Sequence, residues 1–347
     1  MAGTKGIPLL LFGCFLAQLR MIHARVPSII VFGDSSVDPG NNNYMPTIAK
    51  SNFQPYGCDF YGKLPTGRFS NGRIATDFIS EALGIRPIIP AYLDPHYGVV
   101  DFAKGVSFAS AGTGYDNITS AIMSVIPLWK QLEYFKEYQN KMIIQFGVAE
   151  ATKVLSEALY VISLGTNDFI ENYYALPLRP LVYSVEEYEN FLLVKARNFV
   201  TDLYNLGARK ISIAGLPPMG CLPLERTKHY FVCIDRYNRV AQEYNVKLQQ
   251  LVAQLNQDLG GVKLVYSDIY SILFDIIMNP QSFGFEVGEK ACCATGRYEM
   301  SYLCNKFNPF TCDIANKYVF WDSFHPSEKT NFIVAQHAIN TTLAGFL

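Results

Sequence analysis

The sequence predicts a three-layer α/β/α architecture around a central parallel sheet of about five strands. Three observations lead there. Short apolar runs recur along the chain, each ends in a loop of small polar residues, and longer segments with apolar residues three and four positions apart lie between them. Continuous apolar strands, as opposed to alternating ones, belong to parallel sheets covered on both faces. The 347 residues are 50% hydrophobic and only 17% charged, ample for a large buried core.

The elements follow in chain order. Lys5 precedes the apolar run Ile7 to Ala17, and the small Ala24 lies shortly downstream. This is the pattern of a secretory signal peptide over residues 1–24, although Ile22 stands where a smaller residue is typical. The run is too short to span a bilayer comfortably. Residues 25–347 are read as one exported domain, with no internal repeat or Pro/Ser-rich linker. The first strand, Ser28 to Phe32, leads to Gly33, where a helix is expected to begin. The stretch from Asp38 to Arg73 is rich in Asn, Pro, Gly and aromatics, and reads either as a rim over a site or as a packed surface loop. It ends in "PTGRFSNGR" before a helix over Ile74 to Leu83.

Further strands are expected at Val106 to Ala109, Leu159 to Leu164, Ile211 to Ala214 and Val262 to Tyr266. Helices are expected at Leu128 to Phe146, Glu186 to Leu206 and Cys233 to Leu259. Open parallel sheets bind ligands beyond the carboxyl ends of their strands. The polar loops of this chain all fall at that edge.

Composition excludes some functions. With 29 Lys+Arg against 30 Asp+Glu and no run of like charges, the chain lacks the basic face that a nucleic-acid backbone needs. "GTGYD" and "GLPPMG" lack the G-x-G-x-x-G arrangement, so no cofactor fingerprint is present. Cysteine spacing does not fit zinc. Asp34, Ser36 and Asp38 form a weak alternative as hard-cation ligands, without a partnering acidic loop. Of the eight cysteines, Cys14 leaves with the signal. Among those remaining, Cys221 with Cys233 is a local pair suited to an oxidising compartment, and the isolated Cys58 is the candidate free thiol. Asn117 and Asn340 open N-x-T sequons and are glycosylation candidates.

The remaining chemistry points to a nucleophile. Ser35, in "GDSS" at a strand end, is a poor nucleophile until a base takes its proton. Alone, this stretch reads better as helix-capping residues than as a catalytic site. The base must be a histidine. His337 lies in a helical pattern, and His96 and His229 occupy loops with no evident orienting acid. In "VFWDSFHPS", Asp322 stands three residues before His325, so a turn can fold the carboxylate onto Nδ1 and leave Nε2 to accept a proton. An Asp turn before a helix start at Pro326-Ser327 is the competing reading. Acyl transfer also needs donors for an oxyanion. Asn167 in "SLGTND" offers an amide and Gly112 in "SFASAGTGYD" an unobstructed backbone N–H.

Taken jointly, "FGDSSVDPGNNN", "SFASAGTGYD", "SLGTND" and "FWDSFHPS" closely resemble the blocks of the GDSL-type esterase/lipases of the SGNH hydrolase superfamily. "PTGRFSNGR", "AGLPPMGCLP" and the late cysteines resemble its plant branch. The resemblance covers essentially the whole chain after the signal. It implies a flavodoxin-like sheet, Ser35 as nucleophile, His325 as general base oriented by Asp322, and an oxyanion hole of Gly112, Asn167 and the Ser35 N–H. It implies hydrolysis of a small-molecule or lipid acyl ester, without cofactor or metal. The chain departs from the family at Ser36, where the family has Leu, which places a second hydroxyl beside Ser35. An acyltransferase using the same site with a hydroxyl acceptor, and a non-catalytic secreted binding protein, are the alternative readings.

Overall fold

The computed structural model describes residues 26–346; the expected signal peptide, with Cys14, lies outside them. The central sheet has five parallel strands, β1 (Ile29–Gly33), β2 (Gly105–Ser107), β3 (Leu159–Ser163), β4 (Lys210–Ala214) and β5 (Lys263–Ser267), in the order β2-β1-β3-β4-β5. Register places Ile30 opposite both Val106 and Tyr160, and Val161 opposite Ser212. Each strand expected from the sequence is present. The order is the flavodoxin-like one, in which the connections diverge between β1 and β3 and open a crevice at their carboxyl ends.

Strand periodicity divides the core in two. Ile30, Phe32, Tyr160, Ile162, Ile211 and Ile213 face the layer that includes the helices Leu128–Phe146, Val185–Asn205 and Asp235–Asp258. Ile29, Val31, Leu159 and Val161 face the opposite layer, made by the helices Ala75–Ala82 and Glu328–Asn340. The 185–205 helix starts at a capping box in which Ser184 Oγ accepts from the Glu187 N–H and the Ser184 N–H donates to Glu187 Oε2.

The helix expected directly after Gly33 does not form. The chain makes one turn, closed by the Val37 N–H donating to Asp34 O at 3.2 Å. Asp34 Oδ1 accepts from the Ser36 N–H and hydroxyl, which favours this turn over continued helix. Pro39 has no N–H to continue the ladder, and Gly40 sits at φ +133°. The stretch from Asp38 to Arg73 is a packed wall, with Tyr56, Phe60 and Phe69 buried in it. Buried Arg68, from "PTGRFSNGR", forms a two-pronged ion pair with Asp77 at 2.7 and 2.8 Å and also donates to Ile89 O. Two planar groups meeting in matching geometry hold the loop to the first turn of the 75–82 helix.

A second, two-stranded parallel sheet was not expected: β6 (Val287–Ala291) beside β7 (Tyr318–Phe320). β6 contains Gly288, Glu289 and Lys290, so its polarity hides a strand. The disulfides Cys292–Cys312 and Cys293–Cys304 follow it directly, and the expected Cys221–Cys233 bridge is formed. Cys58 is the free cysteine among the described residues, its thiol pushed up to about 12 by burial. No described helix is long and apolar enough to cross a membrane.

Candidate active site

The turn after β1 carries Ser35 to the carboxyl edge of the sheet, at the β1/β3 divergence. Gln131, from the 128–146 helix, fixes the strand end: its amide accepts from the Gly33 N–H at 3.1 Å and donates to Gly33 O at 2.9 Å. Asp34 is bonded to Ser36, whose hydroxyl also meets Ser163 Oγ at 2.9 Å. Asp38 accepts N–H groups from Gly40, Asn41 and Ala111. Those bonds occupy the carboxylates that the cation-site alternative would have used.

β7 supplies the other side. Its backbone is stitched to the disulfide-bonded segment, with the Cys292 N–H donating to Phe320 O and the Cys293 N–H to Trp321 O. The chain then folds back so that the Trp321 N–H donates to His325 O at 2.8 Å. Within this turn Asp322 Oδ1 accepts from the backbone N–H groups of Phe324 (2.9 Å) and His325 (2.7 Å). The same carboxylate meets His325 Nδ1 at 2.8 and 2.9 Å. Ser327 then caps the 328–340 helix by accepting from the Thr330 N–H. The carboxylate–imidazole contact and the helix start within "DSFHPS" therefore coexist, separated by Pro326.

Ser35 Oγ lies 2.7 Å from His325 Nε2. Ser35 and His325 retain 6% and 5% exposure while Asp322 has none, so the contact chain reaches the cleft from a dry interior. The Phe69 ring lies 4.7 Å from the imidazole and shields it. A hydroxyl so placed can pass its proton to imidazole as it attacks, and a carboxylate on the far nitrogen stabilises the resulting imidazolium.

A buried knot brings Asn167 against the loop that carries Gly112. Asp168 accepts from the Tyr115 and Asp116 N–H groups and from Thr119 Oγ1, tying the loop after β2 to the end of β3. Asn167 Nδ2 donates to Thr113 O at 3.0 Å, next to Gly112, and keeps its second N–H. Gly112 has φ +85°, a conformation side chains resist. The N–H groups of Ser35 and Gly112 make no hydrogen bond among the described residues. Ser35, Gly112 and His325 line one cavity of about 50 Å³.

Two site residues escape the sequence reading. Tyr56, inside the Asp38–Arg73 wall, donates its hydroxyl to Asp322 Oδ2 at 2.6 Å and accepts the Ser301 N–H at 2.8 Å. Burial, followed by the Asp322 charge, pushes the phenol well above its ordinary value and keeps it a donor. No spacing in the sequence links residue 56 to residue 322. Glu171 follows in a π-helical turn, Asp168–Tyr173, and faces the small cavity. The expectation that His96 lacks an orienting acid is corrected: Asp94 Oδ1 meets its Nδ1 at 2.8 Å, but the ring is exposed and outside the cavity. Asn117 and Asn340 are both exposed, at the start and end of helices.

Glu171 gives a pH prediction. Burial pushes its carboxyl from 4.5 to about 7; nearby His325 opposes the rise and Asp34 adds to it. Its Oε2 has no hydrogen-bond partner. Because the folded state holds this proton more tightly, the contribution of Glu171 to stability is full below about 4.5 and is lost as pH rises through 7. Replacing Glu171→Gln removes the titration. Between pH 5 and 8 the parent should lose on the order of 1–2 kcal/mol more unfolding free energy than the variant. That range lies below full linkage because the side chain keeps part of its surface in the cavity. Identical pH profiles in urea titrations of the two proteins would refute it.

A family model described as GDSL-like Lipase/Acylhydrolase matches residues 29–338. A GDSL esterase/lipase of Arabidopsis thaliana is 58% identical over 341 residues, 97% of each chain. A second from the same plant is 56% identical over 350 residues, covering 100% of both chains. A third is 53% identical over 317 residues, 90% of this chain and 91% of the relative. With the β1/β3 crevice and its Ser-His-Asp contacts, these matches mean that the chain belongs to the GDSL-like lipase/acylhydrolase family, a family of ester hydrolases.

Proposed function

We propose that the protein is a secreted serine esterase that hydrolyses carboxylic esters through an acyl-Ser35 intermediate. The observation that carries this reading is the 2.7 Å contact between Ser35 Oγ and His325 Nε2, with Asp322 on the other ring nitrogen. Ser35 Oγ attacks the ester carbonyl while its proton passes to Nε2. The oxyanion receives hydrogen bonds from the N–H groups of Ser35 and Gly112 and the free amide proton of Asn167. Nε2 then protonates the leaving alkoxide, the C–O bond breaks and the alcohol departs. Water, deprotonated by the same nitrogen, attacks the acyl-enzyme. The tetrahedral adduct collapses, the acid is released, and Ser35 recovers its proton.

Export of residues 25–347 as one domain fits the leader pattern together with the three disulfides, which persist in oxidising compartments. An alkyl fluorophosphonate tests the nucleophile directly, because it phosphonylates only an activated serine. Peptide mapping should find the adduct on Ser35, with labelling slowed as the imidazole is protonated at acid pH. An adduct on Ser36, or labelling equal in native and denatured protein, would sink the assignment.

A further inference from the structure

Beside the small cavity lies a larger one of about 140 Å³, and the two meet at Ser35, Phe324 and His325. The mouth of the larger cavity is bordered by loop residues, Thr166, Pro217 and Pro326 among them. The cavity descends between the sheet and the 75–82 and 328–340 helices, into what should be a filled layer of the core.

The strands explain the space. Ser163 of β3, Ser212 and Ala214 of β4 and Ser267 of β5 lie two apart along their strands or beside each other across them, and all line the cavity. The alternate residues of the same strands, Ile162, Ile211, Ile213 and Leu264, belong to the closed core on the other face. Opposite the small strand residues, the C-terminal helix presents Ala335 and Ala338. Small side chains face small side chains, so the layer stays open where interiors normally leave few voids larger than a water molecule.

We infer that this channel receives the acyl chain of the substrate and that its depth selects medium-length chains. The inference rests on the acyl-Ser35 reading, and adds to it where the chain goes. The 328–340 helix starts beside His325 and runs away from it, with Asn331 and Ala338 both on the wall. Seven helical residues span roughly 10 Å, which sets the depth. An apolar cavity of about 150 Å³ accommodates a benzene-sized ligand. A chain of six to ten carbons would fill such a space, and the floor at Ala338 and Leu343 stops longer ones. The smaller cavity, bordered by Gly112, Met123 and Met300, is left for the alcohol portion.

The test compares p-nitrophenyl esters from acetyl to palmitoyl on the parent, Ala214→Leu near the mouth and Ala338→Leu at the floor. In the parent, kcat/KM should rise about fourfold per buried methylene, peak near octanoyl and fall for palmitoyl. Ala214→Leu should lower the octanoyl-to-acetyl ratio at least tenfold and move the optimum to butanoyl or shorter. Ala338→Leu should move it only to about hexanoyl. An optimum that neither variant moves, or a parent that prefers palmitoyl, overturns the channel. Binding of decanoate, read as a rise in melting temperature, separates the two readings. If no ester turns over yet decanoate stabilises the parent and not the Ala214→Leu protein, the channel stands and the esterase reading falls. If decanoate stabilises neither, the channel falls. Should a leucine variant not fold, Ser212→Val, which adds a branched apolar side chain suited to a strand, replaces it with the same expected direction.

Discussion

Ser35→Ala is expected to lower kcat toward p-nitrophenyl esters by about 10⁴- to 10⁶-fold, whereas Ser36→Ala stays within about tenfold of the parent. The adjacent hydroxyls cannot exchange roles, because each is held by different partners. Ser35 Oγ has the imidazole at 2.7 Å. Ser36 Oγ is engaged at 2.7 Å by Asp34 Oδ1 and at 2.9 Å by Ser163 Oγ. Reaching a substrate carbonyl would require Ser36 to break both contacts and take a position with no base. Its removal leaves Asp34 Oδ1 with the Ser36 N–H, so the turn survives and the expected loss is modest. A five-decade loss corresponds to about 7 kcal/mol of transition-state stabilisation, and the residual rate would come from the oxyanion donors alone. Equal rates for the two variants, or a larger loss for Ser36→Ala, would reverse the assignment.

What could be read from the sequence was whatever is local in the chain. The five strands are legible because each is a continuous apolar run, and parallel strands buried on both faces require that pattern. Asp322 and His325 are legible because the turn that joins them is three residues long. The contributions of Ser35, Gly112 and Asn167 are likewise visible as loops at successive strand ends, and the fold then brings those ends together at one crevice. The turn after Gly33 looks like a helix start in sequence because Ser and Asp serve both structures, and Pro39-Gly40 decides between them. Tyr56 and the β6/β7 pair were hidden for another reason. Their partners lie at sequence separations that no periodicity encodes, as with the separation of 266 positions from Tyr56 to Asp322. The channel was invisible because small residues on a strand look like ordinary sheet until the helix opposite is known to be small as well.

The hidden tyrosine sharpens the second large effect. Asp322→Asn should lower kcat about 10⁴-fold with KM little changed and the fold retained. The new amide has one oxygen and one nitrogen to place. The Oδ1 position faces the N–H groups of Phe324 and His325, so only an oxygen fits there. The nitrogen must then take the Oδ2 position, where Tyr56 donates at 2.6 Å and His325 Nδ1 lies 2.9 Å away. Tyr56 cannot simply reverse its bond, since its oxygen already accepts the Ser301 N–H. An amide N–H directed at Nδ1 favours the tautomer with its proton on Nε2, which points a donor at Ser35 and leaves no base. Tyr56→Phe tests the outer link separately. It removes one hydrogen bond to a charged acceptor, worth about 1.5–3 kcal/mol, and should cost ten- to a hundredfold in kcat while Asp322 still orients the ring. Rates within tenfold of the parent for Asp322→Asn would show that His325 keeps its working tautomer without the carboxylate, and the relay drawn here would be wrong at its innermost step.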